Sequence, residues 1–225
     1  MREVVLDTET TGLNPADGDR IVEVACVELV NLLPTGRELH FYCNPERDMP
    51  AEAMAVHGLS SEFLSDKPLF DDQADRFVAF MQDARLIAHN AEFDLRFLQA
   101  ELKRCSRPRL DNEVVDTLQL ARRKFPGSPA SLDALCRRFG IDLSERAKHG
   151  ALIDTRLLAK VYLELMGGQQ PDLGLAAKAA GPDPGFIDTV RPALRPPRAH
   201  APAEAELAAH RSLIESLKDS LWLKA

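Results

Sequence analysis

Asp7 and Glu9 stand two residues apart in Asp7-Thr8-Glu9-Thr10-Thr11-Gly12, at the end of the apolar run Val4-Val5-Leu6. Asp94 closes a second stretch, His89-Asn90-Ala91-Glu92-Phe93-Asp94, which follows Leu86-Ile87-Ala88. Asp154 closes a third, His149-Gly150-Ala151-Leu152-Ile153-Asp154, ahead of a long apolar-periodic segment. Carboxylates do not usually end buried strands, because a charge beside an apolar core is expensive without a partner. Four of them in such places make a divalent cation the natural compensating charge. Residues i and i+2 of a strand point the same way, so Asp7 and Glu9 project together. Crowded carboxylates repel, so their titrations couple and some pKa values rise when no metal is bound. Mg²⁺ or Mn²⁺ takes oxygen ligands in octahedral geometry. Two such ions about 4 Å apart stabilise the attacking and leaving oxygens of phosphodiester cleavage. His149 has an imidazole that titrates near neutrality, which suits it to take a proton from an attacking water.

The elements that must position these groups follow from periodicity. Arg2 to Asp7, Ile21 to Val30 and Glu38 to Cys43 read as three strands of a meander. Asn14-Pro15-Ala16-Asp17-Gly18 and Leu33-Pro34-Thr35-Gly36 supply its turns. From about residue 70 helices alternate with short strands: a helix over Phe70–Met81, a strand Leu86–Ala88, a helix Glu92–Arg104 and a strand Glu113–Asp116. Helices over Thr117–Phe125, Ser131–Phe139 and Asp154–Met166 complete the pattern. Strands first and alternation afterwards predict an α/β fold with a mixed five-stranded sheet flanked by helices. The three acidic stretches then fall at edges of that sheet, where segments distant in sequence converge.

A chain of 225 residues holds one buried domain of about 170 residues, expected over 1–168, plus a tail. No apolar run approaches the ~20 residues of a membrane span, and Met1-Arg2-Glu3-Val4 leads straight into a strand, not a signal peptide. Cys26, Cys43, Cys105 and Cys136 are scattered, as expected of reduced thiols in a cytoplasmic protein. The net charge of −7 excludes a partner held mainly by a broad basic surface. If nucleic acid is the substrate, grip comes from metal ions and local contacts, or from a partner that brings the substrate close. Residues 169–202 hold seven of the fifteen prolines and read as a linker. In the segment 203–225, Leu207, His210, Ile214, Leu217 and Leu221 step by three and four, a helical stripe with Trp222 at its end.

The three stretches, in this order and spacing, resemble the DEDDh 3′–5′ exonuclease family, and within it the proofreading subunits of bacterial replicative polymerases. Val56-His57-Gly58-Leu59, Phe63-Leu64-Ser65-Asp66-Lys67-Pro68, Ser131-Leu132-Asp133-Ala134-Leu135-Cys136 and Leu165-Met166-Gly167-Gly168-Gln169 share in the resemblance, which covers nearly the whole chain. It implies a ribonuclease-H-like fold that removes mispaired 3′-terminal nucleotides from DNA as deoxynucleoside 5′-monophosphates. Asp7 would bind both ions, Glu9 and Asp154 the ion with the nucleophilic water, and Asp94 the other; His149 would be the general base. Thr10, Thr11, Gly12, Val56, His57, Asn90 and Phe93 would line the pocket for the 3′-terminal nucleotide. The terminal base must be unpaired to reach that pocket, so fraying supplies selectivity.

The resemblance also implies partners. Gln170, Leu173 and Leu175, in the peptide 170–175, resemble the short motif that sliding clamps accept in an apolar groove. The stripe of Leu207, Ile214, Leu217, Leu221 and Trp222 would dock on the polymerase III alpha subunit as a helix in a groove. A tethered domain gains local concentration without new contacts at its site. The resemblance leaves room for a small accessory subunit bound to the domain. Plainer readings exist for single residues. Asp94 and Asp154 suit helix starts, His57 a turn, Phe93 the core, and His89 support of the second stretch by packing. A stand-alone exoribonuclease would show the same acids but leave the linker and tail without use. A non-catalytic scaffold would leave the acids and His149 without use.

Overall fold

The strand β1 (Arg2–Thr10) is the middle of a five-stranded sheet ordered β3-β2-β1-β4-β5. In this computed structural model, residues 1–144, 150–168 and 202–217 are described. β2 (Ile21–Val30) runs antiparallel to β1, and β3 (Leu33–Tyr42) antiparallel to β2. β4 (Arg85–Ala88) and β5 (Val114–Asp116) add in parallel on the other side of β1, so the sheet is mixed, as expected. The chain divides into two units, Met1–Ala176 and Ala177–Ala225.

Alternation along β1 assigns its residues to two layers. Val4 and Leu6 join a core with α3 (Phe70–Met81) and α4 (Ala91–Arg104), through Phe70, Phe77, Phe97 and Leu98. Val5 joins Ile87, Leu158 and Tyr162 of the opposite layer, formed by α7 (Ala151–Leu165). There Tyr162 Oη donates to Glu3 Oε1 at 2.8 Å and fixes the helix along the strand. α5 (Thr117–Lys124) and α6 (Leu132–Phe139) pack beside α7 around Ala121, Leu135, Leu157 and Val161.

Four departures from the expected elements have physical causes. β1 continues past Asp7 to Thr10, because Asp7, Thr8 and Glu9 keep pairing with Ala25, Val24 and Glu23; the ladder is made by backbone groups, which polar side chains do not remove. Leu33-Pro34-Thr35-Gly36 is not the turn between β2 and β3. Asn31 and Leu32, with φ of 52° and 69°, make a two-residue turn of the primed kind that fits strand twist. Gly36, at φ 83°, lies in a bulge where residues 35–37 of β3 oppose Glu28 alone. The last helix of the domain starts at Ala151, not Asp154, so Asp154 sits in its first turn. α1 (Ala51–His57) and α2 (Ser61–Leu64) were not expected. α1 buries only His57 and leaves Met54 and Val56 exposed, so it offers no apolar stripe to read.

In the second unit, α8 (Glu204–Ser216) contains Leu207 and Ile214, and Leu217 follows its last turn. His149, Gln170, Leu173, Leu175, Leu221 and Trp222 lie outside the described residues. Among the described residues, no helix is long and apolar enough to cross a membrane. Cys26, Cys43 and Cys136 are buried free thiols and Cys105 is half-buried.

Candidate active site

Glu3, Val5, Asp7 and Glu9 share the α7 face of β1 by alternation, and the face changes from apolar to acidic toward its C-terminal end. Asp154 meets it there from the buried stripe of α7. One carboxylate oxygen each from Asp7, Glu9 and Asp154 fall within 4.8 Å of one another. The N-terminus of α7 is held in place by Glu23 of β2, directly opposite Glu9 in the ladder. Glu23 Oε2 accepts from the Ala151 amide at 3.2 Å, and its Oε1 lies 2.8 Å from His40 Nε2. Thr155, one residue past Asp154, donates to Ala151 O at 2.6 Å. Glu23 was missed in the sequence; its signal was an acid inside the otherwise apolar run Ile21 to Ala25.

Asp94 was expected in the same group; it comes to Asp7 from the other layer, and of the charges acting on Asp7 its own is the strongest. It projects from the buried face of α4, the opposite layer, where Thr8 also points. Thr8 Oγ1 donates to Asp94 Oδ1 at 2.7 Å. The reason is parity: Asp7 and Glu9 face α7, while Thr8 between them faces α4. Another acid of that buried stripe, Glu101, is neutralised by Arg20 at 2.6 and 3.0 Å, whereas Asp94 is met by a neutral hydroxyl. Its charge still reaches across the strand. Desolvation, then the charges of Asp94, Glu9, Asp154 and Glu23, hold Asp7 well above the usual carboxylate range. Burial pushes Asp94 up to about 7 against the lowering pull of the Thr8 hydroxyl. The donors are all oxygens, negative and mutually repelling. That set fits a hard divalent cation.

A cavity of about 490 Å³ opens beside Glu9. Six of the seven residues expected around the terminal nucleotide line it: Thr10, Thr11, Gly12, Val56, His57 and Phe93. Asn90 does not. It caps α4 at φ 69°, exposed, and its amide donates to Asp116 Oδ1 at 3.1 Å. Asp19, another residue that spacing did not single out, lines the cavity and braces the loop after β1. Its carboxylate accepts from Thr11 Oγ1 at 3.3 Å, the Asn14 amide at 3.0 Å and Arg47 Nη1 at 2.9 Å. Gly12 makes room for it: a Cβ there would meet Asp19 Oδ2 at 2.3 Å.

Gly12→Ala is therefore expected to destabilise the fold by about 1–3 kcal/mol, the range for overpacking a tight contact. It should also raise KM for a single-stranded 3′ end more than it lowers kcat. Thermal melting and steady-state kinetics check this, and an Asp19→Ala background should absorb most of the melting loss. An unchanged melting temperature would show that the loop relaxes freely around the added methyl.

A second cavity, of about 660 Å³, has Asp7 and Asp154 in its wall and shares no lining residue with the first. His89 lines it, with Nδ1 2.9 Å from Thr117 Oγ1, and burial lowers its pKa; this fits the supporting role expected of it.

The chain is similar to known proteins in sequence and in fold. The exonuclease family (RNase_T) matches residues 4–162. The DNA polymerase III subunit epsilon of Rickettsia conorii is 54% identical over 184 residues, 80% of each chain. That of Escherichia coli is 46% identical over 176 residues, 75% of this chain and 72% of its own. Among solved structures, exonuclease X in complex with 5′ overhanging duplex DNA aligns with a TM-score of 0.59 at 28% identity, over 72% of this chain and 90% of that one. Exonuclease I aligns with a TM-score of 0.66 at 21% identity, over 76% of this chain and 41% of its own, which shows the shared fold. With the family matched across the whole acidic site and epsilon subunits matched over most of their length, the chain belongs to the exonuclease family, among the DNA polymerase III epsilon subunits.

Proposed function

We propose that this chain is the 3′–5′ proofreading exonuclease of a bacterial replicative polymerase, hydrolysing the last phosphodiester of mispaired or single-stranded DNA ends. The observation that carries the reading is the convergence of Asp7, Glu9 and Asp154 within 4.8 Å beside a nucleotide-sized cavity. Asp7, Glu9 and Asp154, with Asp94 from the opposite layer, would hold two divalent cations, Mg²⁺ or Mn²⁺. When bound, these neutralise the cluster and stabilise charge on the phosphodiester in the transition state. The chain's own residues do the rest. Thr10, Thr11, Val56 and Phe93 orient the terminal nucleoside, which fixes the phosphorus beside the acids. His149, placed five residues before Asp154 in the sequence, takes the proton of the attacking water. The P–O3′ bond breaks, leaving a deoxynucleoside 5′-monophosphate and a strand shorter by one nucleotide. A paired end cannot enter the cavity, so fraying of a mismatch selects the substrate.

Residues 1–168 would form the nuclease domain and 169–202 a linker, with Gln170, Leu173 and Leu175 offered to a sliding clamp. Residues 203–225 would dock on the polymerase III alpha subunit through Leu207, Ile214, Leu217, Leu221 and Trp222. The epsilon relatives support membership of a polymerase III complex. Local tethering is how an acidic nuclease would reach DNA.

Time-resolved digestion of a 3′-mismatched primer–template, with and without divalent ions, tests the reading. Mismatched ends should shorten one nucleotide at a time, several-fold faster than paired ends, and only with the ion present. Equal or faster cleavage of a matched RNA oligonucleotide would favour an exoribonuclease, and no hydrolysis even in Mn²⁺ would favour a scaffold. Deleting residues 203–225 should spare cleavage of free oligonucleotides and abolish co-purification with the alpha subunit.

A further inference from the structure

The second cavity beside the carboxylates has a lining unlike that of the first. Leu13, Val56 and Phe93 make the first largely apolar, and among the described residues no lysine or arginine lines it. The second carries Arg122, from the last turn of α5, with Ser128 and Ser131. Arg122 is exposed, and Ser131 caps α6 by accepting the Ala134 amide at 3.3 Å. The two cavities share no lining residue. They meet only at the acids: Glu9 walls the first, Asp7 and Asp154 the second, and their oxygens lie within 4.8 Å.

This arrangement constrains the path of a strand. A chain whose terminal nucleoside fills the apolar cavity has its last phosphodiester at the acids. Its next phosphate then falls on the far side, in the second cavity. We propose that this cavity is a subsite for the sugar-phosphate backbone immediately 5′ of the scissile bond, with Arg122 as its phosphate-binding cation and Ser128 and Ser131 as hydroxyl donors. The inference rests on the exonuclease reading and adds to it a source of grip. A chain with a net charge of −7 lacks a broad basic surface, so one guanidinium in the cavity that Asp7 and Asp154 also line matters disproportionately. Asp133 lies in the same wall, so the subsite is a point contact and not a positive patch.

The test compares two substrates on the full-length protein: a single-stranded oligonucleotide, and the p-nitrophenyl ester of thymidine 5′-monophosphate. The ester presents a nucleoside and a scissile phosphate but no upstream strand. Arg122→Gln should raise KM for the oligonucleotide about tenfold, as loss of a phosphate contact does. The slope of log KM against log salt should shrink by about 0.7, the single-strand value for one phosphate contact. The loss on the oligonucleotide should exceed that on the ester at least several-fold, and Arg122→Lys should restore most of the salt slope. Equal losses on both substrates, or an unchanged oligonucleotide KM and salt slope, would overturn the subsite. A wild-type protein inactive on both substrates would instead sink the exonuclease reading, and this inference with it.

Discussion

Replacing Asp7 with asparagine should lower hydrolysis of a 3′ end by at least about 10³-fold, the scale of losing one electrostatic stabiliser of a transition state. The same change should raise the melting temperature of the protein in chelator. The two effects have one cause. Asp7 shares its oxygens with Glu9 and Asp154 within 4.8 Å and feels Asp94 and Glu23 besides. With no cation bound, its charge is repelled from several sides, so an isosteric neutral amide relieves strain that the fold otherwise bears. In a chain of this length each kcal/mol relieved is worth about 2–4 °C. A residue that merely supported the fold would give the opposite pairing, a lower melting temperature with activity lost in proportion. Single-turnover digestion of an oligonucleotide, with calorimetry in EDTA, measures both. Retained hydrolysis would remove Asp7 from the site, and a fall in melting temperature would show that its carboxylate holds structure together.

The acids were legible in the sequence because each breaks a local rule. Asp7 and Glu9 extend a strand that begins with Val and Leu, and Asp94 and Asp154 fall on helix faces filled mostly by apolar side chains. The mixed sheet was legible for the same reason, since its strands are short apolar runs. What spacing does not record is which layer a residue comes from. Asp154 meets Asp7 from one layer, while Asp94 comes from the other, bonded to Thr8, and its charge still acts on Asp7. Residues that act only through tertiary contact left weak traces or none. Asp19 looks like a loop aspartate until Gly12 and Arg47 close on it. Arg122 looks like one more surface cation on α5 until it is found in the wall of the cavity that Asp7 also lines. α1 escaped notice because its buried side carries a single residue, His57, although that helix forms one wall of the nucleotide cavity.

Asp94→Asn should separate charge from shape most cleanly, because its effect on stability changes with pH. In the folded protein Asp94 holds its proton up to about 7, against an ordinary value of 3.8. A carboxyl group with a raised folded pKa favours the fold fully below its unfolded pKa, where both states are protonated. That contribution is lost as pH rises from about 4 through 7, while the unfolded chain releases its proton freely. Each factor of ten in proton affinity is worth about 1.4 kcal/mol, so a group this buried costs the folded state a few kcal/mol by pH 8. Asparagine keeps the acceptor for Thr8 and cannot ionise, so the variant escapes the loss. In EDTA the melting temperatures of variant and wild type should nearly coincide at pH 4. They should then separate in the variant's favour by roughly 5–10 °C at pH 8. Carboxylates held below their ordinary range elsewhere, such as Glu38 beside Arg156, are common to both proteins and cancel in the difference. Millimolar Mn²⁺ at pH 8 should shrink or reverse the gap, because a cation bound only by the folded state adds about 2.7 kcal/mol at a hundredfold excess over its Kd. The wild type has the fuller set of ligands to hold it. A gap that stays constant from pH 4 to 8 would mean that Asp94 is not the strained carboxyl its burial implies, and that the acids of the two layers act independently.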